Sequence, residues 1–125
     1  MAGEIKRATR VAERLREELA FLLSREVKDP RIKHVLISRV EMPDDLKAAR
    51  VYVRLLENGE DVERRKEALV GLTKAASMIR REVAKRMSLR FAPELRFYYD
   101  EGQDKAERIE QLLEEVKQED KARGV

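Results

Sequence analysis

The chain contains no cysteine, which excludes disulfides, thiolate metal sites and cysteine nucleophiles together. His34 is the only histidine, so neither a second imidazole nor a thiol is present to complete a metal site or a nucleophilic triad. Its expected place is the start of a strand. Aromatic residues make up only 5% of the sequence, so any core must be aliphatic. No apolar run approaches the roughly 20 residues that cross a bilayer. The first residues carry no apolar core of the secretory kind, and a soluble, cytoplasmic domain is the expectation. There is no glycine-rich phosphate loop. The carboxylates sit among bases, without the apolar surroundings that would raise a pKa. Catalysis, a bound cofactor and a metal are not expected.

What the sequence does have is charge and aliphatic bulk, each at 42% of 125 residues. That much apolar material builds one core of single-domain size. The net charge of +3 hides an asymmetry: residues 101–125 carry −3 and residues 1–100 carry +6. Between Lys74 and Arg96 there are seven bases (Lys74, Arg80, Arg81, Lys85, Arg86, Arg90, Arg96) and two acids (Glu82, Glu94). A dense basic patch on a basic body points to an anionic partner, whereas a mixed, salt-bridged surface is the bland alternative.

The periodicity predicts a first amphipathic helix over Glu4 to Val27, with Ile5, Ala8, Ala12, Leu15, Leu19 and Leu22 on its apolar stripe. Asp29-Pro30 follows as a stop signal. His34 to Met42 and Ala49 to Leu55 read as strands joined at Pro43-Asp44-Asp45, an antiparallel hairpin with one wet face. Asn58-Gly59 breaks the chain before a helical stretch from Asp61, its N-cap, to Ser88. There Val62, Leu69, Leu72, Ala76, Ile79, Val83 and Met87 form the stripe, and Ala75-Ala76-Ser77 sits at the middle as a candidate kink. Phe91-Ala92-Pro93 ends it, and Leu95 to Tyr99 is a third strand with Leu95, Phe97 and Tyr99 inward. Asp104 to Lys121 reads as a last helix bearing Ile109, Leu112, Leu113 and Val116, with a frayed end. The order is helix, strand, strand, helix, helix, strand, helix, an α+β layer with helices on one face of a small sheet.

Several short stretches, in this order and spacing, make the sequence resemble the ribosome-binding factor A family. They are Arg7-Ala8-Thr9-Arg10-Val11-Ala12, Lys28-Asp29-Pro30-Arg31-Ile32, Val40-Glu41-Met42 with Asp45-Leu46, and Ala49-Arg50-Val51-Tyr52-Val53. The most specific is Ala75-Ala76-Ser77-Met78-Ile79-Arg80-Arg81-Glu82-Val83 through Leu89-Arg90-Phe91-Ala92-Pro93-Glu94-Leu95-Arg96-Phe97-Tyr98-Tyr99-Asp100. The resemblance implies a type-II KH-like domain over residues 1–103, with helix–kink–helix at Ala75, Ala76 and Ser77, and a C-terminal helix and mobile tail over residues 104–125. Ser77 stands where the family's glycine is usual. The resemblance further implies a monomeric, non-enzymatic assembly factor. It would bind the small ribosomal subunit and its ribosomal RNA, with ribosomal proteins as further neighbours. It would assist late maturation and 5′-end processing near the decoding side and neck, and support growth in the cold.

The residues themselves supply a candidate contact surface. At about 100° per residue, Lys74, Ser77, Arg81 and Lys85 share the helix face opposite Ala76, Ile79 and Val83, with Arg80 and Arg86 on its borders and Arg90 just beyond. Aligned cations can follow a nucleic-acid backbone; the alternative is a solvated helix face. Arg50, Tyr52 and Arg54, with Arg39 across from them, form a second surface, read as ordinary cross-strand packing because one tyrosine is a meagre platform. The competing function is a protein-interaction module pairing through its amphipathic first and last helices. Salt separates the two, since phosphate contacts weaken steeply with ionic strength and apolar helix pairing does not.

Overall fold

The computed structural model describes residues 6–102 and Val116. The first helix, α1, spans Arg7–Arg25, and a single 3-10 turn spans Pro30–Ile32. Strand β1 is Val35–Glu41, β2 is Ala48–Leu55, helix α2 is Val62–Arg86 and β3 is Glu94–Tyr99. Of the expected stripe of α1, Ala8, Ala12, Leu15, Leu19 and Leu22 all leave solvent, and Ile5 lies outside the described residues. Its ion pairs are Glu13–Arg16 and Arg14–Glu18, rather than the Arg10–Glu13 and Arg14–Glu17 pairs that spacing also permits.

The three strands lie in the order β1-β2-β3, with β1 antiparallel and β3 parallel to β2. The hairpin closes where the Leu46 N–H donates to the Pro43 carbonyl at 3.0 Å, Leu46 itself taking φ 58°. The parallel pair needs a crossover, which α2 provides. A bulge at Ser38 puts Ile37 opposite Val53 and Arg39 opposite Tyr52. This extra residue explains why the apolar positions of β1 break strict alternation: Val35 and Ile37 face inward before it and Val40 after it. His34 stands just ahead of β1 at φ 67°, its carbonyl accepting from the Leu56 N–H at 2.9 Å.

Both helices cover one sheet face, α1 over β1 and α2 over β3. Between the layers Leu15, Leu19 and Leu22 meet Leu72, Ile79 and Val83 above Ile37, Val51, Val53 and Leu95. This is the aliphatic core that the scarcity of aromatics requires. Glu18 is the buried charge among the described residues. Both Arg86, from α2, and Arg14 donate to it, and the Arg86 bond above all holds its carboxyl below the ordinary range.

Helix α2 begins as the sequence predicts, with the Asp61 carboxylate accepting from the Glu63 N–H at 3.0 Å and the Arg64 N–H at 3.4 Å. Two expectations need correction. The two helices expected either side of Ala75-Ala76-Ser77 are one: α2 is a 25-residue helix through all three, and Ser77 is not among the positive-φ residues. Serine, unlike glycine, has a Cβ that penalises positive φ, which accords with Ser77 lying inside the helix. The hydroxyl that back-bonds on α2 is Thr73, to the Leu69 carbonyl at 2.8 Å. Val62, placed on the apolar stripe, is 57% exposed. Ala68 and Gly71 take up burial instead.

The end of α2 is a Schellman motif. The Leu89 N–H reaches the Ala84 carbonyl at 3.0 Å, the Ser88 N–H reaches Lys85 at 3.3 Å, and Ser88 sits at φ 53°. Glycine suits that position better than any residue carrying a Cβ. Ser88→Gly is therefore expected to stabilise the domain by about 1 kcal/mol, read as a higher urea midpoint at unchanged m-value. The expected C-terminal helix lies outside the described residues, except for Val116, which is helical and 52% exposed.

Candidate nucleic-acid interface

The C-terminal half of α2 carries the exposed cations. Lys74, Ser77, Arg81 and Lys85 are all solvent-facing, opposite the buried Ile79 and Val83. At 1.5 Å per residue the ridge from Lys74 to Lys85 is roughly 16 Å long. Arg81 makes no hydrogen bond or ion pair among the described residues. Lys85 lies 3.7 Å from Glu82, a loose exposed pair. Ser77 is the short side chain between cations, a low point on the ridge.

The flanking arginines are placed differently. Arg80 turns under the helix and donates to the Pro93 carbonyl at 2.9 Å and the Ala92 carbonyl at 3.2 Å, fastening the loop that leads into β3. Arg86 binds Glu18 and lies 4.3 Å from the Phe21 ring centroid, tying α2 to α1. Both have structural partners, so the ridge proper is Lys74, Arg81 and Lys85. Arg90 is exposed beyond the helix, 5.4 Å from the ring of Phe91, which is itself 77% exposed.

A tight contact sets the base of this ridge. The 3-10 turn packs on Gly71, where an added Cβ would stand 3.0 Å from Ile32 Cγ2 and 3.1 Å from Arg31 Cβ. Asp29 caps the turn by accepting from the Arg31 N–H at 2.9 Å, and the Arg31 guanidinium grips the same carboxylate at 2.5–3.1 Å. Those bonds lower the Asp29 pKa to about 2, with Lys74 contributing a smaller charge effect. A depressed carboxyl stabilises the fold fully above its ordinary value near 3.8, and the contribution is lost as pH falls through about 2. The stability gap between the wild-type chain and Asp29→Asn is thus expected to be constant above about pH 5 and to close between about pH 4 and 2. Denaturant melts across that range check it; a gap that persists at the acid end would leave Asp29 acting through shape alone.

On the other sheet face the expected cross-strand packing is present and includes a second tyrosine. Tyr98 on β3 pairs with Tyr52 on β2, and the rings stack with centroids 5.6 Å apart at 30°. The Arg39 guanidinium lies 4.1 Å from the Tyr52 centroid on the opposite side strand. Arg50 and Arg96 are neighbours in the next row. Arg96, counted with the helix patch in sequence, is thus on the far side of the sheet from it. The missed signal was the parallel pairing of β3 with β2, which supplies the second tyrosine.

The fold is thus an α+β layer with helices on one face and a ridge of exposed cations, Lys74, Arg81 and Lys85, along the longer helix. The chain belongs to the ribosome-binding factor A family, whose sequence profile matches residues 7–113. It is 56% identical over 117 residues to the ribosome-binding factor A of Sorangium cellulosum, covering 94% of each chain. It is similar to the solution structure of a Thermotoga maritima protein at 34% identity and TM-score 0.68, over 82% of this chain and 94% of that one. The fold is also that of Thermus thermophilus ribosome binding factor A as fitted into the map of its 30S complex (24% identity, TM-score 0.61, 74% of this chain and 94% of that one).

Proposed function

We propose that the chain is a non-enzymatic assembly factor that binds the small ribosomal subunit through ribosomal RNA, assisting late maturation and 5′-end processing. The observation that carries this reading is the ridge of Lys74, Arg81 and Lys85 in a member of a family named for ribosome binding, with a relative fitted into a 30S complex. In this reading the domain is a type-II KH-like fold acting as a monomer, and α2 is its RNA-facing helix, with Ser77 at the point of closest backbone approach. Ridge cations would track phosphates by charge and spacing, with little base readout. Arg80 and Arg86 would hold the ridge in place and Arg90 would extend it.

The competing helix-pairing module is weakened by the position of α1, whose apolar stripe is covered by the sheet. Co-sedimentation with separated small, large and joined ribosomal particles, repeated over a salt series, tests the proposal. Selective pelleting with small subunits, with affinity falling linearly on a log–log salt plot, is expected. Binding indifferent to both salt and particle type would reject it.

A further inference from the structure

The sheet face turned away from the helices carries an ordered row across all three strands. Arg39, Tyr52 and Tyr98 stand side by side, the guanidinium against one side of Tyr52 and the Tyr98 ring against the other. Tyr98 belongs to an edge strand of the described sheet and is 40% exposed, so the stack ends in an accessible ring. Arg50 and Arg96 form the adjacent row and are both exposed. Same-face positions along a strand are roughly 6.5–7 Å apart, a step that an extended nucleotide chain can match. The face has carboxylates too, and each is engaged. Glu41 lies 3.5 Å from Arg39 and accepts from the Tyr52 hydroxyl at 3.4 Å. Glu94 lies 3.2 Å from Arg96. Asp100 accepts from the Ser38 hydroxyl at 2.8 Å and from the Gly102 N–H at 3.1 Å, and lies 3.9 Å from Arg39. Arg50 has no ion pair among the described residues.

We infer that this row is a stacking platform for single-stranded RNA: a base continues the stack on Tyr98, and Arg50 and Arg96 meet the phosphates beside it. Every base has a π-face, so the platform accepts unpaired RNA without choosing its sequence, and a duplex, whose bases are already stacked, cannot use it. The inference rests on the reading of the chain as an RNA-binding factor and extends it to a second surface. Because α2 packs on the opposite side of the sheet, platform and ridge are separable by substitution.

The test uses the full chain with a short oligouridylate, an oligoadenylate and a duplex RNA of equal length, read by fluorescence anisotropy. Tyr98→Leu is expected to weaken both single strands roughly tenfold and leave the duplex unchanged, with Tyr98→Phe restoring wild-type binding. Should Tyr98→Leu fold poorly, Arg50→Ala with Arg96→Ala keeps the stack and is expected to lower the salt slope for single strands by about 1.4. Quenching of wild-type tyrosine emission on oligonucleotide binding is expected as well. Single-strand affinity unaffected by both variants, or no quenching, overturns the platform even if small-subunit binding holds. Loss of subunit binding in Tyr98→Leu with unchanged oligonucleotide binding overturns it in favour of a protein contact. Failure of the wild-type chain to pellet with small subunits, while the oligonucleotide results hold, rejects the ribosomal reading and leaves the platform standing.

Discussion

Reversing the charge of Arg81 and Lys85 together is expected to weaken small-subunit binding by on the order of tenfold or more at physiological salt, with the fold unchanged. Each lost phosphate contact flattens the salt dependence by about one unit of slope, so the double variant should lose about two, and the new carboxylates add repulsion. Stability should move little, by within about 0.5 kcal/mol, because both side chains are exposed and only the Lys85–Glu82 pair is given up. The contrast with Arg86 makes the experiment specific. Arg86→Ala removes a charge from the same stretch of helix, but that charge serves the buried Glu18. It is expected to lower stability by about 1–2 kcal/mol, since Glu18 keeps Arg14 as a partner and α1 loses its tie to α2. A double variant of Arg81 and Lys85 that melts normally and pellets with small subunits as the wild type does would move the contact off this helix.

How much of this was legible in advance depended on the range of each signal. The stripe Ala8, Ala12, Leu15, Leu19 and Leu22 needs only helical periodicity, and it is the buried face of α1. The alternation of Ala49, Val51, Val53 and Leu55 needs only the pleat, and all four are buried. Asp61 as N-cap and Pro43-Asp44-Asp45 as turn are equally local. The cations of α2 could be sorted into a ridge by angle, but angle alone cannot say that Arg80 finds two carbonyls in the following loop or that Arg86 reaches across to α1. Those partners are distant in sequence and appear only when the helix is docked. The Tyr52–Tyr98 stack failed to show for the same reason: it depends on β3 lying parallel beside β2. Arg39 does lie across from Tyr52 as expected, but the bulge at Ser38 that brings it there, by flipping every later side chain of β1, leaves no local mark in the sequence.

Gly71 links the 3-10 turn at Pro30–Ile32 to the ridge, and Gly71→Ala is expected to destabilise the domain by about 1–2 kcal/mol. Two effects of opposite sign compete. Alanine in a helix interior is favoured over glycine by about 1 kcal/mol, which alone would predict a gain. Against it, the new methyl would stand 3.0 Å from Ile32 Cγ2 and 3.1 Å from Arg31 Cβ, both closer than carbon atoms pack. Ile32 is 4% exposed and belongs to the core cluster, and Arg31 is held by its grip on Asp29, so neither neighbour can retreat without loosening another contact. Overpacking of this kind costs about 1–3 kcal/mol, with larger values where the surroundings are fixed, and the steric term therefore wins. For a domain of this size the loss corresponds to a melting point lower by roughly 4–10 °C. Lys74 is one turn further along α2 and feels the same turn through Asp29, so relief of the clash by moving the turn would also disturb the base of the ridge. Small-subunit affinity should then fall less than in the charge reversal, by no more than a few-fold, because Arg81 and Lys85 remain in place. A melting point raised by Gly71→Ala would show that the turn yields easily and that helix propensity, rather than the close approach of Ile32, governs this position.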